Sequence, residues 1–396
     1  MNTIISSLTK IFIYIKPMIK KILVLLIGQL LFGNVVYAGA TAIPAPPGIK
    51  ANSYLLQDFD SGKILASKNI DLRIPPASLT KMMTVHVVSA ELLAGRISED
   101  DEVLISEKAW KMPGSRMFIE VNKKVLLGDL LQGVIIQSGN DASVALAEYV
   151  SGSEEVFAEL MNQYASDLGM TNSHYINSTG LPHEQHYTTA KDMAILAAAL
   201  IRDAPEIYAL HSVKEFTFNN ITQQNRNKLL WRDPSVDGIK TGHTEAAGFC
   251  LVASAKRDNM RLISVVMGTD SDTARVKASQ SLLGYGFRFF ETQKVYAANE
   301  NITSVKVWKG DVEELGLGIN TDLYITFPRG QKNQLTTKFD LSEQYIAPLN
   351  KGDVQGNLKI SLAEDEVAEA ELIALQSVNE GGIIIRMKDS IRLLLE

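Results

Sequence analysis

Cysteine is almost absent from this chain of 396 residues: Cys250 is the only one, so no internal disulfide can form in any redox compartment. It sits in the apolar stretch Gly248 to Ala253 and reads as a small buried hydrophobe, not as a nucleophile. An excess of positive charge is absent too. Lys and Arg number 39 against 45 Asp and Glu, a formal charge of −6, which argues against a nucleic-acid partner. No apolar run reaches the roughly 20 residues of a spanning helix, and there is neither an internal repeat nor a low-complexity segment. The six histidines form no His-x-x-x-His pair and no His/Asp triad spacing. His183 and His186 share a loop with Glu184 alone as an acidic neighbour, so neither a metal site nor a cofactor is expected.

Hydrophobic residues make up 46% of the chain and charged residues 21%, the balance of an ordinary globular protein large enough for one main domain and a smaller one. The first 38 residues stand apart. Lys10, Lys16, Lys20 and Lys21, with no acidic residue, precede the apolar run Ile22 to Phe32 and then Val36-Tyr37-Ala38. This order is that of a secretory signal peptide over residues 1–38 cut after Ala38, with translation from Met18 giving a shorter leader; an N-terminal membrane anchor is the alternative. Loss of its four lysines would take the mature charge to −10. Residues 39–48, with Pro44, Pro46, Pro47 and Gly48, read as an extended linker.

Residues 49–296 read as a sheet packed with helices. Ser78 to Ala94 is apolar nearly all round, follows Pro75-Pro76 and stops at Gly95, as a helix buried on most faces should. Further helices are expected over Gly128 to Ile136, Ala142 to Val150, Lys191 to Ile201 and Arg275 to Phe290. Val236 to Thr241, Gly248 to Ala255 and Met260 to Gly268 read as an antiparallel meander. Residues 297–378 alternate in short β-like runs and read as a small all-β domain, which makes the fold class α+β. Over residues 379–396, Ile383, Ile384, Met387, Ile391, Leu394 and Leu395 share one helical face opposite Arg386, Lys388, Asp389 and Arg392. Such a stripe either docks on the protein or lies on a membrane surface; it is too short to span.

Three motifs carry chemistry: Ser78-Leu79-Thr80-Lys81, Ser138-Gly139-Asn140 and Lys240-Thr241-Gly242. Each is weak alone, since Ser7-Leu8-Thr9-Lys10 repeats the first by chance within the leader. Specificity lies in the set: the first opens a buried helix, the second fills a turn between helices and the third ends a strand. A serine hydroxyl needs a base to become a nucleophile, and Lys81, one helical turn on, shares its face. Burial, the helix N-terminus and a second cation at Lys240 should all lower the Lys81 pKa and make it that base; the alternative is a snorkelling surface lysine. Ser138 would pass a proton between Lys81 and a leaving amine while Asn140 holds a substrate amide, unless both merely build the turn. Lys240 and Thr241 would face a substrate carboxylate, with Gly242 permitting close approach of the strand, unless they are structural. The N–H groups of Ser78 and His243 are the natural oxyanion pair.

With these residues the chain resembles the low-molecular-mass penicillin-binding D-alanyl-D-alanine carboxypeptidases, serine peptidases of the β-lactamase/transpeptidase-like fold. The likeness covers nearly all of the mature chain, including Pro75 to Met82, Gln137 to Ala142, Asn225-Arg226-Asn227 and Val236 to Thr244. It implies Ser78 as acyl-ester nucleophile, Lys81 as proton acceptor, Ser138 as a third active-site residue, Lys240 as a substrate contact and Arg275 near the substrate carboxylate. It further implies release of the terminal D-alanine from peptidoglycan pentapeptides, acylation by β-lactams, and a role in peptidoglycan maturation and cell shape. The location implied is the periplasmic face of the bacterial inner membrane, held peripherally by the C-terminal helix. The loop Lys111 to Met117 is shorter than in some members. Two alternatives remain. A serine β-lactamase shares the motifs, but no Glu-x-x-Leu-Asn element lies between Asn140 and Lys240 to position a deacylating water. A non-catalytic peptidoglycan-binding scaffold would need neither Lys81 nor Lys240.

Overall fold

The structure, a computed structural model, describes residues 43–395, so the leader read over residues 1–38 lies outside the described residues. Residues 43–48 carry no regular secondary structure. Strands β1 (Ser53–Asp58), β2 (Ile64–Lys68), β3 (Val236–Thr244), β4 (Gly248–Arg257) and β5 (Met260–Thr269) form one sheet in the order β2-β1-β5-β4-β3. Every neighbouring pair in it is antiparallel, as the meander pattern predicts. Five longer helices accompany the sheet: α1 (Thr80–Leu93), α2 (Asn140–Ser151), α3 (Glu154–Asp167), α4 (Ala190–Asp203) and α5 (Asp272–Phe289).

Both faces of the sheet are covered, and side chains alternate between them. On β4, Cys250 and Val252 join the core shared with α1 to α4, whereas Leu251, Ala253 and Ala255 join the core under α5. A strand buried on two faces has no polar side to show, which is why its sequence is apolar without alternation. Cys250 is wholly buried, and burial pushes its thiol up to about 11, consistent with an inert packing role.

Helix α1 is the hub of the larger core. Every residue from Thr80 to Ser89 is buried, so the helix has no solvent face before its last turn. It ends where Gly95 takes φ +67°, a left-handed conformation that costs a glycine nothing. Its start differs from the sequence expectation. Ala77–Leu79 form a single 3-10 turn, entered through Ala77 at φ +50°, and the α-helix begins at Thr80. The helix expected over Gly128 to Ile136 also changes character: it runs as α-helix over Leu127–Gln132, then widens into a π turn over Gly133–Gln137 that ends on Ser138 at φ 63° and ψ 36°.

Strands β6 (Phe290–Tyr296), β7 (Thr303–Trp308), β8 (Glu314–Gly318), β9 (Leu323–Pro328), β10 (Leu335–Leu341), β11 (Tyr345–Ile346), β12 (Val354–Leu362) and β13 (Asp365–Ala374) form the β-domain. Its six-stranded sheet has the order β10-β12-β13-β8-β7-β11, and β6 pairs with β9. The sequence reading leaves residues 290–296 with the first domain. Their hydrogen bonds to β9 put them with the second. Val305, Leu315, Leu317, Phe327, Leu358, Ile360 and Leu372 make a separate small core.

A buried polar network joins the two domains. Asp58, at the end of β1, is fully buried and accepts from Ser61 N–H and Ser61 Oγ, each at 2.8 Å, and from Thr292 Oγ1 at 2.6 Å. Thr326 Oγ1 lies 2.8 Å from Thr292 Oγ1, and Lys63 Nζ donates to the Thr326 carbonyl at 3.0 Å. Removing the carboxylate leaves buried hydroxyls without their acceptor, so Asp58→Ala should cost about 3 kcal/mol. Thermal unfolding should show a midpoint lower by roughly 5–10 °C; an unchanged midpoint would mean that the network contributes nothing.

The C-terminal helix α6 (Ile383–Leu393) carries the expected stripe, and the stripe is not docked on the protein. Ile383 is 73% exposed, Ile384 82% and Leu394 86%. Its polar side is the attached one: Asp389 accepts from the Lys309 backbone N–H at 2.7 Å. No helix of the described residues is long and apolar enough to cross a membrane.

Candidate active site

Ser78 sits half-buried in the tight turn before α1, at the edge of a cleft of about 760 Å³ lined also by Ser138, Arg226, Thr241, Gly242, His243 and Arg275. Four segments build it. Pro75 and Pro76 stiffen the approach to the turn. The π turn delivers Ser138, α2 begins at Asn140, and β3 runs past the turn so closely that a Cβ on Gly242 would meet the Pro76 carbonyl oxygen at 3.0 Å. Glycine at that position is what lets strand and turn touch.

Lys81 is fully buried, and its Nζ donates to three acceptors: the Thr179 carbonyl at 2.6 Å, Asn140 Oδ1 at 2.7 Å and Ser78 Oγ at 3.2 Å. An ammonium has three hydrogens, and these acceptors take all of them. A neutral amine has two hydrogens and a lone pair. The carbonyl of Thr179 can only accept, and the Asn140 amide is fixed with its oxygen toward Lys81 because Nδ2 donates to the Pro113 carbonyl at 2.6 Å. Once deprotonated, Lys81 therefore spends both N–H bonds on these two oxygens and turns its lone pair to Ser78 Oγ. Burial lowers its pKa to about 7; Asp141 and Glu154 oppose that shift and Arg226 adds to it.

Lys240 is a second buried lysine. Its Nζ donates to Ser138 Oγ at 2.8 Å and to the Thr241 carbonyl at 3.1 Å. Burial, then the charges of Lys81, Arg226 and Arg275, hold its pKa well below the ordinary lysine range. An anionic group entering the cleft would raise both lysine pKa values by opposite-charge attraction, so ligand binding and protonation are coupled.

The sequence-predicted residues thus gather in one place, with altered pairings. Ser138 is held by Lys240, not by Lys81. Both ends of the Asn140 amide are engaged within the protein, so the residue orients Lys81 where the sequence suggests a grip on a substrate amide. Arg275 lines the cleft but spends Nη1 on the Gly242 and Cys250 carbonyls, at 2.9 and 3.2 Å, and Nη2 on Asp272, bracing β3 against β4. The His243 ring stacks on Phe249 with centroids 3.9 Å apart. Among the described residues no group of three or more His, Cys, Asp or Glu side chains could hold a metal.

Sequence reasoning misses the supports. The segment Asn177–Gly180 presents the Thr179 carbonyl, held by Asn177 Oδ1, which accepts from Thr179 N–H and Gly180 N–H, and by Glu154, which accepts from Ser178. Gly180 has φ +87°, and a Cβ there would lie 1.8 Å from the Ala77 carbonyl oxygen. Asp141 accepts from the N–H groups of Met117 and Phe118 at 3.0 and 2.9 Å, fastening the loop that begins at Lys111 to the start of α2. A backbone carbonyl leaves no side-chain signature; Gly180 and an aspartate in a first helical turn are the signals that could have found these residues.

Residues 40–271 match the D-alanyl-D-alanine carboxypeptidase family, and residues 290–380 match the C-terminal domain of penicillin-binding protein 5. D-alanyl-D-alanine carboxypeptidase DacA of Escherichia coli (strain K12) is 43% identical over 362 residues, covering 89% of this chain and 90% of the relative. DacC of the same organism is 45% identical over 367 residues, covering 91% and 92%. Among solved structures, penicillin binding protein 5 from Haemophilus influenzae superposes with a TM-score of 0.83 at 45% identity, over 85% of this chain and 100% of that one.

Proposed function

The chain belongs to the D-alanyl-D-alanine carboxypeptidase family, and from that membership we propose that Ser78 carries its reaction with Lys81 as base. It is a serine-type D-Ala-D-Ala carboxypeptidase of peptidoglycan maturation that binds penicillin. The observation that carries the residue assignment is the buried Lys81 with a pKa of about 7, whose two other acceptors aim it at Ser78 Oγ.

Lys81 Nζ takes the Ser78 Oγ proton as the oxygen attacks the carbonyl carbon of the penultimate D-alanine. The backbone N–H groups of Ser78 and His243 hold the oxyanion. Collapse breaks the C–N bond as Ser138 gives its proton to the departing D-alanine amine and takes in its place the one that Lys81 removed from Ser78, which leaves Lys81 neutral again. Lys81 then accepts a proton from the water that attacks the ester carbonyl, and returns it to Ser78 Oγ as the ester C–O bond breaks. Lys240, Thr241 and Arg275 supply the positive end of the cleft for the terminal carboxylate, Gly242 keeps β3 close, and Asn140 orients Lys81 beside the substrate amide. A β-lactam acylates the same oxygen, and without a positioned deacylating water the acyl-enzyme should turn over slowly.

Incubation of the purified protein with a pentapeptide ending in D-Ala-D-Ala should release D-alanine. Absence of release would overturn the reading.

The domain scheme proposed with it is a signal peptide over residues 1–38, a linker over 39–48, the catalytic domain, the β-domain and the amphipathic helix over 379–396. Export to the periplasm, peripheral attachment to the inner membrane and a part in cell-shape maintenance follow from that scheme. The exposed stripe of α6 beside Arg386, Lys388 and Arg392 supports the attachment. A chain ending at Glu380 should lose most of its cosedimentation with anionic phospholipid vesicles and keep D-alanine release from a soluble peptide; undiminished cosedimentation would refute the anchor.

A further inference from the structure

A cavity of about 720 Å³ lies where the two domains meet and shares no lining residue with the cleft of Ser78. One wall is Phe59 and Asp60, just past β1, together with the turn between β4 and β5. The other is β6 with Tyr324 of β9. The walls are fixed to each other. Phe59 N–H donates to the Arg261 carbonyl at 2.9 Å, and the hydrogen bond from Thr292 to Asp58 ties the residues that immediately precede Gln293 and Phe59. The cavity is therefore preformed, and its volume falls within the roughly 300–1,000 Å³ of small-ligand sites. Strand β4 sets its distance from the cleft: Cys250 pairs with Gly242 at the cleft, and Arg257 lines the cavity seven residues on, about 23 Å at the rise of a strand.

The charges of the lining nearly cancel. Arg257 is paired with Asp233 and Arg261 with Asp237, each at 2.7 Å, and Lys294 with Asp322. What remains is Lys256 and Arg329 against Asp60, Asp258 and Glu291, so the cavity offers no excess of positive charge to a phosphate. Its polar groups are nonetheless underused. The Asp60 carboxylate and the amides of Asn259 and Gln293 make no side-chain hydrogen bond among the described residues. Asp60 is half-buried, and that burial, followed by the charge of Asp58, holds its carboxyl above the ordinary range. A carboxylate and two amides supply both acceptors and donors, and the rings of Phe59 and Tyr324 add apolar surface beside them. An uncharged sugar ring, with hydroxyls that donate and accept around an apolar C–H face, matches that combination.

We propose that the domain junction binds the glycan strand of peptidoglycan through Asp60, Asn259 and Gln293, at a site separate from the peptide cleft. Five extended residues of a stem peptide span about 17 Å, less than the distance along β4, so the sugar held here belongs to a different repeat from the peptide being cut. The site raises the local concentration of peptides on a polymer and does nothing for a free peptide. The probe is an uncharged β-1,4-linked N-acetylglucosamine tetramer, titrated into the full-length protein before and after benzylpenicillin treatment, with equal binding expected in both. Asp60→Ala should weaken that binding about tenfold, the worth of one hydrogen bond to a charged group, and Asn259→Ala and Gln293→Ala several-fold each. In each variant the KM for D-alanine release from pentapeptide-bearing sacculi should rise several-fold, while release from a soluble pentapeptide stays unchanged. No tetramer binding by the unaltered protein, binding that penicillin abolishes, or binding indifferent to all three substitutions overturns the site. If Asp60→Ala lowers the thermal midpoint, the exposed Asn259→Ala decides. Failure to release D-alanine from sacculi and soluble peptide alike would sink the peptidase reading instead, and tetramer binding decides the glycan site on its own.

Discussion

Ser78→Ala should release D-alanine from a pentapeptide at no more than about one-thousandth of the unaltered rate, and incubation with penicillin should leave its mass unchanged. Removing a nucleophile takes away the acyl-enzyme itself, and what survives in comparable hydrolases is the contribution of binding and oxyanion stabilisation. The effect should be confined to chemistry. Ser78 is half-buried at the cleft edge, and Lys81 keeps the Thr179 carbonyl and Asn140 as acceptors when Oγ is gone. The thermal midpoint should therefore move by little, and that separates a lost nucleophile from a lost fold. A Ser78→Ala protein that still releases D-alanine would remove Ser78 from the mechanism; one that still performed its full cellular role would favour a scaffold over an enzyme.

How much of this site the sequence displays depends on which atoms do the work. Ser78, Lys81, Ser138 and Lys240 act through side chains, and their residue types and order are readable. Context separates Ser78-Leu79-Thr80-Lys81 from the identical Ser7-Leu8-Thr9-Lys10: the former opens a buried apolar helix, and the latter falls in the segment read as a leader. Pairing is not readable, because whether Ser138 meets Lys81 or Lys240 is decided by a π turn and a left-handed residue that no periodicity announces. Thr179 is invisible because its contribution is a carbonyl oxygen. The α+β class, the meander and the buried α1 come through the pattern of apolar residues. The start of the β-domain does not, because β6 follows α5 without a break and its allegiance lies in hydrogen bonds to β9, more than 25 residues on.

The pH dependence of the same chemistry gives the second large effect. With the Lys81 pKa at about 7, about half of the base is neutral at pH 7 and about one-tenth at pH 6, so kcat/KM should fall tenfold per unit below that point. Lys81→Met should lose about 10²–10⁴-fold in penicillin acylation and D-alanine release, and the remnant should lack that acid limb. Stability should rise with pH as well, over the higher window between the folded and unfolded pKa values. A lysine whose folded pKa lies below its unfolded value of 10.5 destabilises the fold, because below pH 10.5 the unfolded chain binds a proton that the folded chain holds less tightly. The penalty is complete, about 5 kcal/mol, below pH 7 and vanishes as pH rises toward 10.5. Methionine removes it but strands the Asn140 and Thr179 oxygens, at about 1–3 kcal/mol each, so the two terms nearly cancel at neutral pH. What does not cancel is the slope: relative to Lys81→Met, the unaltered protein should gain about 2 kcal/mol between pH 7 and pH 9. Parallel unfolding curves at the two pH values would show that Lys81 is not neutralised by burial, and the base would have to be sought at Lys240.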